Sequence, residues 1–229
     1  MEITQYDHQT WIFYHNGVRF FLLEGDEKAA LIDTGMHAGN VFELVKERTE
    51  KPVILLNTHA DMDHDGANEE ADEVWLSPYE MAHYAEVIRK KQILHALFPG
   101  DEIDLGNRIL RVTDLCGHTP GSIGFLDLSR RVLISGDPIQ KNGNVYMFGL
   151  YRNIPACIAS LKRLQNHTDE FDQIWPSHAD CPLNPDIISD VLADFEKIEN
   201  GYHEGEAREM HGRTVFACRT DTNVYLLNE

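Results

Sequence analysis

Short runs of β-branched and aromatic residues dominate the first quarter of the chain. Residues 10–14, 18–24 and 29–32 have this composition, which is typical of strands. Residues 52–57 form a further apolar run of the length expected for a buried strand. That run ends at Thr58-His59, so the pattern predicts a buried strand that leads directly into a polar turn.

Helical periodicity alternates with these strands. Residues 40–48 place apolar positions on one face, and residues 154–167 and 185–199 also predict helices. A long helix is predicted from Ser77-Pro78 to Phe98, because proline is favoured in a first helical turn. A short helix is predicted at 66–70, and strands at 73–76, near 103, and at 109–112, 123–126, 131–134, 171–175, 213–217 and 223–227.

This order of elements predicts two sheets packed together with helices on the outside. The segment 139–152 is rich in glycine and asparagine and lacks periodicity, which predicts an irregular loop. The pattern contains no fixed-period repeat and no low-complexity linker. We therefore expect one α/β domain over residues 1–229.

Charge and cysteine usage narrow the functional classes. The chain has 20 basic and 38 acidic residues, a formal charge of −18, which disfavours nucleic acid as a partner. From its first residues we expect no export signal, and its apolar runs are too short to predict a membrane span. The four cysteines form no C-x-x-C pair. We expect a cytoplasmic protein with a small-molecule substrate; the oligomeric state stays open.

Candidate metal ligands cluster directly after the strand at residues 52–57. His59, Asp61, Asp63 and His64 lie within six residues, where a tight turn can aim several side chains into one pocket. Imidazole nitrogens and carboxylate oxygens are typical zinc ligands. The alternative interpretation is a solvated acidic loop that happens to contain two histidines.

Three further ligand-type residues follow other predicted strands or turns. His118 lies in a Gly- and Pro-punctuated turn, Asp137 ends a buried apolar strand, and His178 follows the strand at 171–175. A buried carboxylate such as Asp137 is costly unless it meets a cation. Each residue alone is more often structural, but together they repeat one arrangement of ligands at strand ends.

At these residues the sequence resembles the metallo-β-lactamase fold superfamily. The resemblance is carried by five motifs in order: residues 31–35, 58–66, 117–122 and 135–137, and His178. It implies a four-layer αββα sandwich with a binuclear site at one edge of the paired sheets. It further implies that His59, Asp61 and His118 hold one metal ion, that Asp63, His64 and His178 hold the other, that Asp137 bridges them, and that Asp33 supports the ligands.

The resemblance also implies a hydrolytic mechanism. A hydroxide held between two metal ions is a nucleophile at neutral pH, because the cations lower the pKa of bound water. Asp63 is the expected catalytic residue, which orients this nucleophile and accepts its proton. The expected function is metal-dependent hydrolysis of a small ester, thioester, lactone or related substrate.

Asp61 departs from the pattern, because the superfamily usually has histidine there. Three aspartates and a hydroxide would cancel the four positive charges of two divalent ions, leaving a harder and less positive site. We expect two divalent ions, with zinc first and iron or manganese admitted by Asp61. An acidic residue at this position also occurs in the flavodiiron branch, so a di-iron oxidoreductase is an alternative. A non-catalytic metal-binding protein is another.

The segment 139–152 is the expected wall of a substrate site. Its side chains include Lys141, Tyr146, Met147, Phe148, Tyr151 and Arg152. An aromatic wall with a few polar groups suits a small organic substrate. In lactonase-like relatives a tyrosine assists the oxyanion where this chain has Gln140, so Tyr146 or Tyr151 is predicted to substitute. The alternative is that these aromatics only cover the sandwich edge.

Overall fold

The computed structural model of the protein describes residues 1–36, 39–87 and 91–228. These residues form sixteen strands and four α-helices. The strands are β1 (Glu2–Asp7), β2 (Thr10–His15), β3 (Val18–Glu24), β4 (Ala29–Ile32), β5 (Val53–Leu56), β6 (Glu73–Leu76), β7 (Ile93–Ala96), β8 (Glu102–Asp104), β9 (Ile109–Asp114), β10 (Ile123–Asp127), β11 (Val132–Gly136), β12 (Asn144–Met147), β13 (Gln173–Pro176), β14 (Gly205–Met210), β15 (Arg213–Arg219) and β16 (Val224–Asn228). The helices are α1 (Val41–Lys46), α2 (Met81–Val87), α3 (Ile154–Gln165) and α4 (Ile187–Glu199), with 3-10 turns at Asn68–Glu70 and Thr168–Glu170.

The strands form two large sheets and one small one. The first sheet has seven strands in the order β1 to β7, antiparallel up to β4 and parallel from β4 onwards. The second has the order β13-β11-β10-β9-β8, with β11 and β13 parallel. The third has the order β12-β16-β15-β14.

Strands that are apolar on both faces explain the layering. Along β3, Phe20 and Leu22 pack outwards with helices α1 and α2, whereas Phe21 and Leu23 pack inwards against the second sheet. On the other side, α3 and α4 pack against the outer face of the second sheet together with residues of β12, β15 and β16. This arrangement, with helices outside two packed sheets, confirms the predicted αββα sandwich.

Two predicted elements were wrong in part. The helix predicted from Ser77-Pro78 to Phe98 is helical over Met81–Val87, but Ile93–Ala96 is the strand β7; residues 88–90 lie outside the described ranges. Strand β7 pairs in parallel with β6, and the ring of His95 stacks on Trp75 at 4.1 Å between centroids. Sheet pairing at this edge therefore overrides the local helical pattern.

The segment predicted as an irregular loop also contains a strand. Within residues 139–152, Asn144–Met147 pairs in parallel with β16 as β12. Met147 is buried in the core, so it does not belong to the predicted substrate wall. Strands β1 and β14 escaped prediction because neither has an alternating apolar face; most of their residues are exposed.

The carboxyl ends of the parallel strands meet at one edge of the sandwich. The backbone N–H of Ile123 donates to the carbonyl of Thr58 at 2.9 Å, which joins the two large sheets at this edge. Gly136 ends β11 at a φ of 62°, and a Cβ there would lie 3.0 Å from the Thr58 side chain. Glycine thus permits both the turn and the close approach of the two strand ends.

The helices of the described residues are short, and none combines the length and apolar character that a membrane crossing requires.

Candidate metal centre

The fold brings all seven predicted ligand residues to this edge. They form two groups, and within each group the ligand atoms all lie within 4.8 Å of one another. The first group is His59, Asp61 and His118; the second is Asp63, His64, Asp137 and His178. Each residue follows the end of a strand, as the sequence predicted.

Asp137 lies between the two groups and presents one oxygen to each. Its Oδ1 lies 3.1 Å from Nε2 of His64 and 3.1 Å from Nε2 of His178. Its Oδ2 lies 3.4 Å from Nε2 of His118 in the first group. A carboxylate in this position is able to bridge two cations.

Hydrogen bonds on the outer ring nitrogens orient two of the histidines. Nδ1 of His178 lies 2.9 Å from the carbonyl oxygen of Gly17, which can only accept. Nδ1 of His64 lies 2.8 Å from Oδ2 of Asp33. When both outer nitrogens donate, the neutral rings present an unprotonated Nε2 to the site, which is the form that a metal ligand needs.

Thr58 orients His59 in the same way. The Thr58 hydroxyl donates to Oδ2 of Asp33 at 2.8 Å, and the same hydroxyl lies 3.0 Å from Nδ1 of His59. Since its only proton goes to the carboxylate, this hydroxyl must accept from His59. Asp33, which the resemblance implied as a supporting residue, also accepts from the Thr58 backbone at 2.8 Å.

Several candidate ligand atoms are buried, and their short contacts with one another lack hydrogen-bond geometry. Among the described residues these include Nε2 of His59, Nε2 of His64 and Oδ1 of Asp137. Leaving a buried polar atom unsatisfied costs about 1–3 kcal/mol. A divalent cation in the first group would satisfy Nε2 of His59, and one in the second group would satisfy Nε2 of His64 and Oδ1 of Asp137. The residues present therefore fit the metal ions that this arrangement implies.

The electrostatics of the second group also favour a cation. Burial by itself would lower the pKa of His178, but Asp137 and Asp63 raise it to about 10. The pKa of His64 is likewise raised well above its usual value, by Asp137, Asp63 and Asp33 against the effect of burial. Protons therefore supply the positive charge when no metal is present, and metal binding must displace them.

Arg152 is a site residue whose role the sequence did not reveal. Its Nη2 donates to Oδ2 of Asp61 at 2.5 Å, and its Nη1 donates to the carbonyl of His118 at 2.6 Å. The sequence placed Arg152 in the substrate wall, but 91 positions separate it from Asp61. Burial and the Arg152 charge together lower the pKa of His118.

Glu80 is a second residue that sequence reasoning missed. Its side chain is 1% exposed and lies at the start of α2. Oε2 accepts from the backbone of Ala60 at 3.0 Å, and Oε1 accepts from the backbone of Gly121 at 2.7 Å. It thereby ties the loop of His59 to the loop of His118. No local pattern distinguishes it from a solvated glutamate near a helix N-terminus.

The two groups open into a cavity of about 700 Å³, whose lining includes Asp63, Asp137 and Tyr146. A neighbouring cavity of about 390 Å³ contains Tyr151, and both cavities are lined by Asp61 and Arg152. Tyr146 thus lines the cavity into which both groups of candidate ligands open, whereas Tyr151 lines the neighbouring cavity. The buried Gln140 is not among the residues that line either cavity.

Comparison with known proteins agrees with this fold and these motifs. Residues 16–200 match the metallo-beta-lactamase superfamily, and the chain belongs to that superfamily. Among solved structures, a metallo-beta-lactamase from Pontibacter korlensis superposes with a TM-score of 0.71 at 19% identity. That similarity covers 85% of this chain and 98% of the other.

Curated relatives of the chain include hydrolases. The acyl-coenzyme A thioesterase MBLAC2 of Homo sapiens is 27% identical over 215 residues, covering 73% of this chain and 77% of the relative. A hydroxyacylglutathione hydrolase of Rippkaea orientalis is 25% identical over 193 residues, covering 81% and 73%. The expectation of a metallo-hydrolase is confirmed: the protein is a metal-dependent hydrolase whose candidate ligands suit divalent ions.

Proposed function

We propose that the protein is a thioester hydrolase with two metal positions. His59, Asp61 and His118 would hold one ion, Asp63, His64 and His178 would hold the other, and Asp137 would bridge them. The observation that carries the proposal is the placement of Asp137, with one oxygen towards His64 and His178 and the other towards His118. Zinc is the expected metal. Iron or manganese is the alternative, because the Asp61 carboxylate makes the site harder than a histidine would.

The relatives and the cavity both support a thioester substrate. The two relatives described above are an acyl-coenzyme A thioesterase and a hydroxyacylglutathione hydrolase, and both substrates carry an acyl group on the sulfur of a larger thiol. A cavity of about 700 Å³ beside another of about 390 Å³ falls in the size range of small-molecule sites. The two cavities would accommodate the acyl and thiol portions on either side of the reacting carbonyl.

The reaction consumes one water and releases a carboxylic acid and a free thiol. When bound, the metal ions lower the pKa of water and polarise a carbonyl oxygen. Asp63, whose carboxylate lines the cavity, would accept the proton that the attacking water loses. The water oxygen bonds to the carbonyl carbon, the carbon–sulfur bond breaks, and the sulfur leaves with a proton as the thiol.

Tyr146 would donate a hydrogen bond to the substrate oxygen. It lines the same cavity as Asp63 and Asp137, and burial together with these two carboxylates raises the pKa of its hydroxyl. The hydroxyl therefore keeps its proton at neutral pH. A retained proton allows Tyr146 to stabilise negative charge that develops on the carbonyl oxygen.

The di-iron oxidoreductase alternative depends on Asp61 alone. In this structure the Asp61 carboxylate forms an ion pair with Arg152, which accounts for an acidic residue at this position without redox chemistry. The non-catalytic alternative gains no support from a ligand set that is complete. Hydrolysis of a thioester is therefore the function that the geometry and the relatives favour together.

A substrate panel tests the proposal. Metal-free protein is reconstituted with zinc, manganese or iron(II) and assayed on an acyl-coenzyme A, an S-acylglutathione, a lactone, a phosphodiester and a β-lactam. We expect thiol release from the thioesters to exceed turnover of the other classes. Absence of thioester hydrolysis with every metal would refute the proposal, and oxygen consumption by the iron form would favour the oxidoreductase.

A matched pair of histidine variants controls this experiment. His64→Asn removes a buried ligand candidate and is expected to abolish thioester hydrolysis. His8→Asn makes the same chemical change at an exposed turn and is expected to leave hydrolysis unchanged. Equal activity of the two variants would contradict the assignment of the metal centre.

A further inference from the structure

One carboxylate oxygen of Asp61, Oδ2, makes the close contacts of Asp61 with both histidines of the first group. Oδ2 lies 3.5 Å from Nε2 of His59 and 3.3 Å from Nε2 of His118. The same Oδ2 accepts the hydrogen bond from Nη2 of Arg152 at 2.5 Å. The guanidinium and a cation placed between the two histidines would therefore share one carboxylate oxygen.

The guanidinium is held in this position from several sides. Arg152 is 12% exposed, and its Nη1 donates to the carbonyl of His118 at 2.6 Å. The next residue, Asn153, donates its backbone N–H to Gly117 at 2.8 Å and caps helix α3 with its side chain. Both ends of the Arg152 side chain are thus fixed to the loop that carries His118.

The second group has no comparable positive side chain. In the described ranges, the ion pairs of Asp63 and Asp137 are all to histidines, and neither carboxylate pairs with a lysine or an arginine. An ion in the second group would meet two carboxylates. An ion in the first group would meet the shared Asp137 and a carboxylate that Arg152 already neutralises.

We infer that Arg152 makes the two metal positions unequal. The first group binds its ion weakly, because Arg152 neutralises Asp61, occupies its inward oxygen and repels a second cation. The second group binds its ion tightly. This inference rests on the metal centre of the proposed function. It also revises the charge count from the sequence, since the Asp61–Arg152 pair is neutral overall, as a histidine would be.

Metal titration tests the inference without an activity assay. Metal-free protein is titrated with zinc against a chromophoric chelator, and bound metal is counted by elemental analysis. In the wild type we expect one zinc equivalent to bind tightly, in the second group, and another to bind at least tenfold more weakly, in the first group. Arg152→Met is expected to raise the affinity for this weakly bound, second equivalent at least tenfold and to leave the affinity for the tightly bound one unchanged.

Two further variants control for charge and for location. Arg152→Lys keeps a positive charge and is expected to retain the weak second equivalent. Arg213→Met removes a cation that lines the neighbouring cavity, and is expected to leave both equivalents as in the wild type. If Arg152→Met does not fold, as judged by thermal melting, Arg152→Gln takes its place.

Ligand variants assign the equivalents to the groups. Asp61→Asn is expected to remove only the weak equivalent, and His178→Asn only the tight one. Two equally tight equivalents in the wild type, or a second equivalent that Arg152→Met leaves unchanged or weakens, would overturn the inference and leave the proposed function standing. A wild type that binds no metal would instead refute the proposed function.

Discussion

The carboxylate of Asp33 accepts a hydrogen bond from Nδ1 of His64 at 2.8 Å. Asp33 directly follows strand β4, whereas His64 lies in the loop that follows the neighbouring strand β5. The same carboxylate accepts from Asn57 at 3.2 Å and from the backbone and hydroxyl of Thr58, both at 2.8 Å. Four donors therefore converge on one buried side chain. This arrangement fixes the rings of two ligand histidines before any metal binds.

Asp33→Asn is expected to weaken metal binding about 10- to 100-fold. An amide has one acceptor oxygen and brings its own donors, so it cannot satisfy the donors of Asn57, Thr58 and His64 together. Chelator competition measures the change in metal affinity. Asp186→Asn, an exposed change whose side chain makes no cap hydrogen bond, is the matched control. Unchanged affinity in Asp33→Asn would contradict a positioning role.

Glu80→Gln is expected to destabilise the fold and to loosen the first metal position. Two backbone N–H groups, of Ala60 and Gly121, donate to the two carboxylate oxygens, and glutamine offers only one acceptor. One buried N–H is left unsatisfied, at a cost of about 1–3 kcal/mol. Urea unfolding measures the loss of stability.

Metal titration separates positioning from general stability in this variant. Glu80 joins the loops of His59 and His118, which both belong to the first group. The affinity for the weakly bound metal equivalent is therefore expected to fall more than the affinity for the tightly bound one. Glu50→Gln, at an exposed position, is expected to change neither stability nor metal binding. An equal loss of both equivalents would argue that Glu80 acts only through overall stability.

Tyr146→Phe is expected to lower kcat for thioester hydrolysis about tenfold, which corresponds to the loss of one hydrogen bond of about 1.4 kcal/mol. KM is expected to change less, because the hydroxyl acts on charge that develops during the reaction. Steady-state kinetics measures both constants. Tyr151→Phe, which removes a hydroxyl from the neighbouring cavity, is expected to leave kcat unchanged. Unaltered turnover in Tyr146→Phe would remove this residue from the mechanism.

Asp194→Asn is expected to stabilise the protein at neutral and alkaline pH. Burial raises the pKa of Asp194 above 3.8, although Thr220 donates to its carboxylate at 2.6 Å. The folded state then holds this proton more tightly than the unfolded state does. As pH rises from about 4 through the folded pKa, the free energy of unfolding falls.

Thermal melting of the metal-free proteins measures this effect. Asparagine carries no charge and keeps an oxygen that accepts a hydrogen bond from Thr220. The free energy of unfolding of the variant is therefore expected not to fall in this way as pH rises. Each kcal/mol corresponds to roughly 2–4 °C in Tm for a chain of this size. Asp221→Asn, at a fully exposed position, is expected to show no such pH-dependent gain. A Tm difference between Asp194→Asn and wild type that stays constant from pH 4 to pH 8 would contradict the prediction.

Much of the candidate metal centre was predictable because its information is local. His59, Asp61, Asp63 and His64 follow one buried strand within six residues, and a strand end fixes where such side chains can point. Asp137 likewise follows a run that is buried at every position. The order of strands and helices along the chain also predicted two packed sheets with helices outside.

The sequence by itself thus determined the layered architecture and the ligand types at the strand ends. Only the tertiary structure decided that Arg152 reaches Asp61 and that Glu80 ties the two ligand loops together. It also decided that Ile93–Ala96 is a strand, because pairing with β6 outweighs local helical preference. These relationships join residues far apart in the chain. Their energies depend on sheet pairing and burial, which no local pattern of hydrophobic and polar positions encodes.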